Sequence, residues 1–309
     1  MSPTIFCIGE TVLDIIFKER QPVSATPGGS MLNSAVSLGR AGLNVEFISE
    51  FGNDEEGVII GAFLWDNNVG TTFVQRFDDG KTALALAFLD KKQNASYSFH
   101  TAYPQKRMKK PLPVVKKGDV ILFGSIYAIT PGIHQKILPW VKKSRKAGAL
   151  IVYDPNFRKS HLGMLEMVRP WIEKNIASAD IVRGSDEDFG TVFSLYKPGD
   201  VRKKMGELSC RNLIITRNSK SVIAWFGDHK TEVDIPPVKP LVSTVGAGDN
   251  FNAGIIFALV NSGLNRNGAR DVSPEDAGKI LSTGISFSAD VCKSLDNYIS
   301  HGFSKILKK

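Results

Sequence analysis

The chain has 309 residues, of which 39 are lysine or arginine and 31 are aspartate or glutamate, so its formal net charge is +8. Hydrophobic residues make up 42% and charged residues 23%, which excludes a disordered, collagen-like or coiled-coil chain. Three widely spaced cysteines, Cys7, Cys210 and Cys292, exclude a disulfide framework. Because we find no secretory leader pattern and no apolar run of membrane-spanning length, we expect a packed protein of the cytoplasm.

Short apolar runs alternate with helical patterns along the chain, which is typical of βα units around a mainly parallel sheet. Strands are expected at 4–9, 45–50, 120–124, 149–153, 180–183, 212–216 and 221–226. Helices are expected at 30–42, 55–68, 131–147, 164–176 and 200–208. The strands are too apolar to leave one face of the sheet in water, so helices should cover both faces.

Two regions show a period of two instead. Residues 14–20 continue extended after the first strand, and 82–90 with 95–101 form a predicted hairpin around Lys92–Asn94. We therefore expect one domain, 1–309, with a small antiparallel β lid formed by about 11–20 and 80–103. Its apolar face must rest on substrate, on the main domain or on another subunit, which predicts a closing flap or a homodimer through the lid.

The most biased stretch is 105–117, with the sequence QKRMKKPLPVVKK. It contains neither interleaved aromatic residues nor a known binding module, so we interpret it as a solvated connection. We expect neither a nucleic-acid nor a membrane partner.

The strongest local signal for chemistry is the segment STVGAGDNF, residues 243–251. Its small residues permit a tight turn with converging amides, and the helix that follows adds a partial positive charge at its N-terminus. Asp249 could take the proton of an alcohol that attacks a phosphoryl group, and with an ordinary pKa of about 3.9 it would be ionised. The alternative is a glycine turn with Asp249 as a helix cap. No GxxxxGK[ST] or early GxGxxG motif occurs, so a nucleotide site would be of another kind.

A second glycine cluster, Gly28 and Gly29, precedes the first predicted helix. Paired glycines let a small polyhydroxy ligand approach the backbone, and Asn33 and Asp14 offer hydrogen-bonding groups for hydroxyls. An ordinary turn with a surface aspartate explains the same residues.

A third segment, DPNFR at 154–158, follows the predicted strand 149–153. Ligands of open α/β sheets bind beyond the carboxyl ends of strands. Arg158 could hold phosphate oxygens there, or it is simply a surface arginine.

These segments together resemble the ribokinase-like (PfkB-type) carbohydrate kinases. Residues 27–57, PGGSMLNSAVSLGRAGLNVEFISEFGNDEEG, are similar to the N-terminal signature, and 243–254, STVGAGDNFNAG, to the C-terminal one. GETVLDIIF at 9–17 and DPNFR resemble the fructokinase and 2-keto-3-deoxygluconate kinase branches. The resemblance implies an α/β fold, a three-layer α/β/α sandwich with a mainly parallel sheet and a small β lid. It also implies ATP- and magnesium-dependent phosphorylation of a sugar.

The resemblance implies roles by position. Asp249 would be the base, and the amides of Gly246, Ala247 and Gly248 would stabilise the transferring phosphoryl group. The matching substrate positions are Asp14, Gly28, Gly29, Asn33 and Arg158. The matching nucleotide positions are Asn156, Asp188, Thr216 and Asn218.

The chain also departs from the family pattern. Ser243 stands where many members have an aspartate linked to a monovalent-cation site, which argues against potassium activation. The NxxE motif, which orders magnesium-bound water, appears as Ser185 to Asp188, so Asp188 would act with a shorter reach. The segment 216–221 lacks the usual glycines, so we expect unusual nucleotide affinity or choice.

The fructokinase-like opening favours fructose as the substrate. The alternative is 2-keto-3-deoxygluconate, whose acid group would need His100, Tyr103 or Arg107. A catalytically silent protein that binds sugar or nucleotide is the alternative from a different functional class.

Overall fold

The structure, a computed structural model, describes residues 2–89 and 95–308 of the chain. A nine-stranded sheet forms the centre of this part. Its strands pair in parallel except at one edge, where β14 and β15 are antiparallel. Across the sheet the order is β15 (His229–Asp234), β14 (Ser221–Phe226), β13 (Asn212–Arg217), β12 (Ile181–Ser185), β11 (Leu150–Asp154), β10 (Val120–Gly124), β1 (Ile5–Ile8), β4 (Val45–Ile48) and β6 (Val69–Gly70). All seven predicted strands are present, whereas β6 and β15 were not predicted.

The predicted strand 45–50 corresponds to two observed strands, and the second of them belongs to a separate two-stranded sheet. Its strands are β5 (Glu50–Gly52) and β7 (Gln75–Phe77), which pair in parallel. Because β5 begins two residues after β4 ends, the prediction merged two strands into one.

Helices cover both faces of the sheet, as the apolar strands require. Along β10 and β11 the side chains alternate: Leu122 and Val152 belong to one apolar cluster, and Ile121 and Ile151 to the other. The helices are α1 (Ser30–Arg40), α2 (Glu55–Asp66), α3 (His134–Lys146), α4 (Leu165–Ser178), α5 (Asp186–Phe193), α6 (Pro198–Glu207), α7 (Ala247–Asn261), α8 (Pro274–Val291) and α9 (His301–Leu307). The predicted three-layer architecture is confirmed, with α5, α8 and α9 as helices that were not predicted.

Some of the connections between these strands and helices contain short 3₁₀ helices. Short 3₁₀ helices lie at Tyr127–Ile129, Lys159–Met164 and Gly268–Arg270. Within the described residues, no helix is both long and apolar enough to cross a membrane.

The predicted lid is a four-stranded sheet in the order β3 (Gln21–Gly28), β2 (Val12–Lys18), β8 (Lys81–Leu89) and β9 (Ala95–Ala102). The two outer pairings are antiparallel, and the central β2–β8 pairing is parallel. Strand β3 was not predicted, and the predicted turn Lys92–Asn94 lies outside the described residues.

The basic stretch 105–117 is fixed to the main domain rather than fully solvated. Its lysines are exposed, but Arg107 forms an ion pair with Glu50, which is 2% exposed. Met108 and Val115 are buried in one of the two apolar clusters. The interpretation as a solvated connection is therefore wrong for Arg107, because its guanidinium is paired with the buried Glu50 carboxylate.

Close backbone approach at the carboxyl end of β10 gives a stability prediction. A Cβ atom on Gly124 would lie 1.8 Å from the carbonyl oxygen of Asp154, which is backbone and cannot move aside easily. Gly124→Ala should therefore lower the free energy of unfolding by about 3 kcal/mol. Gly206, in α6, has no atom within 4 Å of its Cβ position, so Gly206→Ala should raise the free energy of unfolding by about 0.5–1 kcal/mol. Urea unfolding measures both, and wild-type stability of Gly124→Ala would contradict the close approach.

Candidate active site

The carboxylate of Asp249 joins the first turns of two helices. Asp249 lies in the first turn of α7, and its carboxylate accepts hydrogen bonds from Ser30 Oγ at 2.6 Å and Asn33 Nδ2 at 2.8 Å, both on α1. Ser34 Oγ donates to the Asp249 carbonyl oxygen at 2.7 Å. The N-cap of α7 is Gly246, and Asp249 has its side chain turned to α1 instead. The interpretation of Asp249 as a helix cap is therefore wrong.

Burial raises the pKa of Asp249 above the ordinary aspartate value. The hydrogen bonds from Ser30 and Asn33 oppose that shift, the charge of Asp154 adds to it, and the charge of Arg158 opposes it. The expectation of an unperturbed pKa is therefore wrong, because removal from water outweighs the two hydrogen bonds.

The turn before α7 has the geometry of an anion site. Gly246 adopts a left-handed conformation, with φ of 76°, and no side chain caps the helix. The amide of Ala247 donates to the Thr244 carbonyl oxygen at 3.3 Å. The amides of Gly246 and Gly248 donate to no residue in the described part of the chain. Free amides at the positive end of a 15-residue helix are well suited to phosphate oxygens.

Asp14 packs closely against the glycine pair, the second group of residues expected to bind substrate. A Cβ on Gly28 would lie 2.0 Å from Asp14 Oδ2, and a Cβ on Gly29 would lie 2.2 Å from the Glu10 carbonyl oxygen. Gly29 also has φ of 130°, so this position requires glycine, whereas a side chain at Gly28 would displace the Asp14 carboxylate. Burial raises the pKa of Asp14 to about 7. Within residues 2–89 and 95–308, no side chain or amide hydrogen-bonds to the Asp14 carboxylate, which leaves an acceptor available to a ligand.

One cavity of about 440 Å³ brings several of these groups together. Phe99 of β9 contributes to its wall, so the small sheet borders this cavity. The lining residues are Ser30, Phe99, Ser125, Asn156, Arg158, Thr244, Val245, Gly246, Gly248 and Asp249. Of these, Ser30, Phe99, Ser125, Thr244 and Val245 were assigned no role from sequence. The expected substrate positions Asp14, Gly28, Gly29 and Asn33 do not line this cavity.

The expected nucleotide positions do not line this cavity, apart from Asn156. Asp188 is 3% exposed and closes a capping box at the start of α5, where its Oδ2 accepts from the Ser185 amide at 2.8 Å. Thr216 Oγ1 accepts from Arg183 Nη2 at 2.8 Å. Asn218 is exposed in the turn between β13 and β14.

A buried polar network lies behind the cavity and was missed in the sequence. Asp154 Oδ2 accepts from Arg183 Nη1 at 2.9 Å and from Asn252 Nδ2 at 2.6 Å, and Asp154 Oδ1 accepts from the Asn156 amide at 3.0 Å. The available signal was an arginine inside strand 180–183, because charged side chains are rarely buried without a partner.

Comparison with known proteins decides the family. Residues 2–277 match the model of the pfkB family carbohydrate kinases. The chain belongs to this family. The chain is 29% identical to the probable fructokinase-6, chloroplastic, of Arabidopsis thaliana over 84% of this chain and 71% of that protein.

Two solved structures share the fold of this carbohydrate kinase. Aminoimidazole riboside kinase from Salmonella enterica, complexed with aminoimidazole riboside and an ATP analog, has a TM-score of 0.84 at 22% identity and covers 99% of this chain and 98% of its own. A double mutant of Vibrio cholerae O395 fructokinase, with fructose, ADP and potassium bound, has a TM-score of 0.84 at 17% identity and covers 100% and 99%.

The loops around Ser243 of the kinase do not fit a monovalent cation. The Cys292 carbonyl oxygen accepts from the amides of Val242 at 2.8 Å and Ser243 at 3.3 Å. Asn250 Nδ2 donates to the carbonyl oxygens of Gly246 at 2.7 Å and Asn297 at 2.8 Å. These oxygens, the usual ligands of such an ion, are already hydrogen-bonded.

The acidic groups that the structure describes in the kinase offer magnesium no cluster of three or more ligands. In the described residues, no group of three or more acidic, histidine or cysteine side chains could hold a metal. Asp188 has one oxygen committed to Ser185. Magnesium keeps most of its waters and binds through few carboxylates, so Asp188 fits a contact through water.

The raised pKa of Asp14 predicts a pH-dependent effect on stability. Its carboxyl group is protonated up to about pH 7 when folded, but only to about pH 3.9 when unfolded. Ionisation therefore favours the unfolded chain increasingly as the pH rises from about 4 to about 7. Asp14→Asn should raise the melting temperature at pH 8 by about 2 °C or more and leave it unchanged at pH 4.

The matched control is Asp228→Asn, at an exposed position, which should shift neither melting temperature. Equal melting temperatures of Asp14→Asn and the wild type at pH 8 would show that Asp14 is not a buried carboxylate.

Proposed function

We propose that this carbohydrate kinase transfers the γ-phosphoryl group of ATP to a hydroxyl of a small sugar, most simply fructose. The observation that carries the proposal is the placement of Asp249. Its carboxylate is fixed by Ser30 and Asn33 on one side and lies beside the free amides of Gly246 and Gly248, in the same cavity. A base and an anion site therefore line the same cavity, as phosphoryl transfer requires.

The reaction needs one proton transfer and one displacement. Asp249 accepts the proton of the sugar hydroxyl while that oxygen bonds to the γ-phosphorus, and the bond from the γ-phosphorus to the bridging oxygen breaks to release ADP. The free amides of Gly246 and Gly248 and the guanidinium of Arg158 stabilise the charge of the transferring group, whereas the expected contribution of Ala247 is not retained because its amide donates to Thr244. Magnesium bound with ATP supplies further neutralisation of the phosphate charge.

Substrate binding is assigned to Asp14, Asn33 and the glycine pair. Asp14 accepts hydrogen bonds from sugar hydroxyls, Asn33 contributes its amide, and Gly28 and Gly29 let the sugar approach the backbone. On the nucleotide side we assign Asn156, Thr216 and Asn218, with Asp188 acting on magnesium-bound water.

A neutral sugar is favoured over 2-keto-3-deoxygluconate because the groups expected to bind its acid are occupied. Arg107 is paired with the buried Glu50. Tyr103 donates its hydroxyl to Glu10 at 2.9 Å, and His100 lies within 3.3 Å of the Ser98 hydroxyl. Fructokinases among the relatives support the same choice.

We also propose a homodimer formed through the lid and a cytoplasmic location. Val23 on β3 and Phe88 on β8 are 58% and 41% exposed, which leaves apolar surface on the lid. The three cysteines are free and buried, as in a reducing compartment.

A substrate panel tests the proposed reaction. ADP release with magnesium and ATP should be at least about tenfold faster with fructose than with ribose or 2-keto-3-deoxygluconate, since a well-placed hydroxyl dominates the rate. Replacing potassium by tetramethylammonium at constant ionic strength should change the rate by less than about twofold, because the carbonyls near Ser243 are already hydrogen-bonded. A faster reaction with 2-keto-3-deoxygluconate would overturn the choice of sugar, and strong potassium activation would overturn cation independence.

Removal of the base gives a second test. Asp249→Asn keeps the size of the side chain but cannot accept a proton, so kcat should fall by about 10²–10⁴ while fructose affinity changes little. In the wild type, kcat/KM should fall as the pH decreases through the raised pKa of Asp249, because the protonated carboxyl is not a base.

Steady-state ADP release and calorimetric fructose binding measure the two quantities. Glu207→Gln, at an exposed position at the end of α6, serves as a charge-matched control with wild-type turnover. Activity of Asp249→Asn within twofold of wild type would remove Asp249 from the mechanism.

A further inference from the structure

Arg183 is a buried cation that the proposed reaction does not use directly. It lies on β12, is 6% exposed, and forms an ion pair with the Asp154 carboxylate, Nη1 to Oδ2, at 2.9 Å. A buried ion pair contributes little net stability compared with apolar packing. The ion pair therefore contributes mainly by fixing the positions of the groups around it.

The guanidinium joins three parts of the site. Through Nη1 it contacts Asp154 at the end of β11, and through Nη2 it donates to Thr216 on β13. A Cβ on Gly248 would lie 3.0 Å from Nη1 and 3.3 Å from Nη2. The guanidinium therefore packs against Gly248, which has a free amide and lines the cavity.

The place of the guanidinium relative to the cavity adds to its contacts. Gly248 lines the cavity, and the Arg183 guanidinium packs against Gly248. Arg158 lines the cavity itself. Because the charge of Arg183 is balanced by the Asp154 carboxylate, Arg183 acts on an anion at the turn through the fixed position of Gly248.

We propose that Arg183 is a positioning residue for phosphoryl transfer, which holds Gly248 in place against Asp154 and Thr216 behind the anion turn. A turn fixed at this place favours the terminal phosphoryl group of a nucleoside triphosphate, which the turn receives, over the groups of a diphosphate. The inference rests on the proposed use of the turn, and it does not depend on which sugar is the acceptor.

Nucleotide binding tests the inference without an acceptor. In calorimetric titrations with magnesium, Arg183→Met should weaken the affinity for the ATP analogue AMP-PNP by about tenfold or more and that for ADP by less than about threefold. Arg183→Lys keeps the charge but loses the planar fork, so it should recover part of the lost AMP-PNP affinity. If Arg183→Met does not fold, Arg183→Lys gives the same comparison with a smaller selective loss.

The matched control is Arg145→Met, because Arg145 also pairs with a buried carboxylate, Asp180, at 3.0 Å. Arg145→Met should change neither affinity. Equal weakening of AMP-PNP and ADP binding by the Arg183 variants would indicate a general structural role and overturn the proposal, and unchanged binding of both would also overturn it.

A kinetic readout separates this inference from the choice of substrate. With fructose, Arg183→Met should lower kcat by about 10²-fold and leave the KM for fructose within about threefold, because Asp14 and Asn33 are untouched. If fructose is not phosphorylated by the wild type, the proposed substrate fails, while the two nucleotide affinities still decide the role of Arg183.

Discussion

The hydrogen bonds from Ser30 and Asn33 to the Asp249 carboxylate are the interaction on which the site depends. They join the N-termini of α1 and α7. Asn33 and Asp249 are 216 residues apart in the sequence. They also offset part of the cost of removing a carboxylate from water. Burial still raises the pKa of Asp249, so the carboxylate that these hydrogen bonds hold in place is a stronger base than a carboxylate in water.

Close backbone packing is the second requirement, and glycine meets it at several points. Gly28 and Gly29 bring the turn before α1 against Asp14 and Glu10, and Gly248 brings the turn of α7 against Arg183. The proposed active site therefore lies where the lid sheet and the starts of two helices pack closely together. A side chain at Gly29 would meet the Glu10 backbone, and a side chain at Gly28 or Gly248 would displace the Asp14 carboxylate or the Arg183 guanidinium.

The buried strands were the most predictable elements. Strands β10 and β14 have the predicted bounds, because uninterrupted apolar runs suit strands covered on both faces. Strand β15, HKTEVD, is largely exposed, and β3 contains two prolines, so neither has an apolar run. Helix α8 was not predicted although its buried residues recur at helical spacing, at Ala277, Ile280, Leu281, Gly284 and Ile285. Its Gly284 lies close to the backbone of Gly254 in α7. At the site, the glycine motifs indicated Asp249 and its turn. Arg183 was not found, because its partners lie 29 and 33 residues away and meet it only in the folded sheet.

The most direct test of the account is a crystal structure with fructose and AMP-PNP bound. The account predicts one fructose hydroxyl within about 3 Å of the Asp249 carboxylate. It also predicts the γ-phosphate over the amides of Gly246 and Gly248, with the remaining hydroxyls near Asp14. A sugar bound away from Asp249, or a γ-phosphate that does not contact the turn before α7, would contradict it.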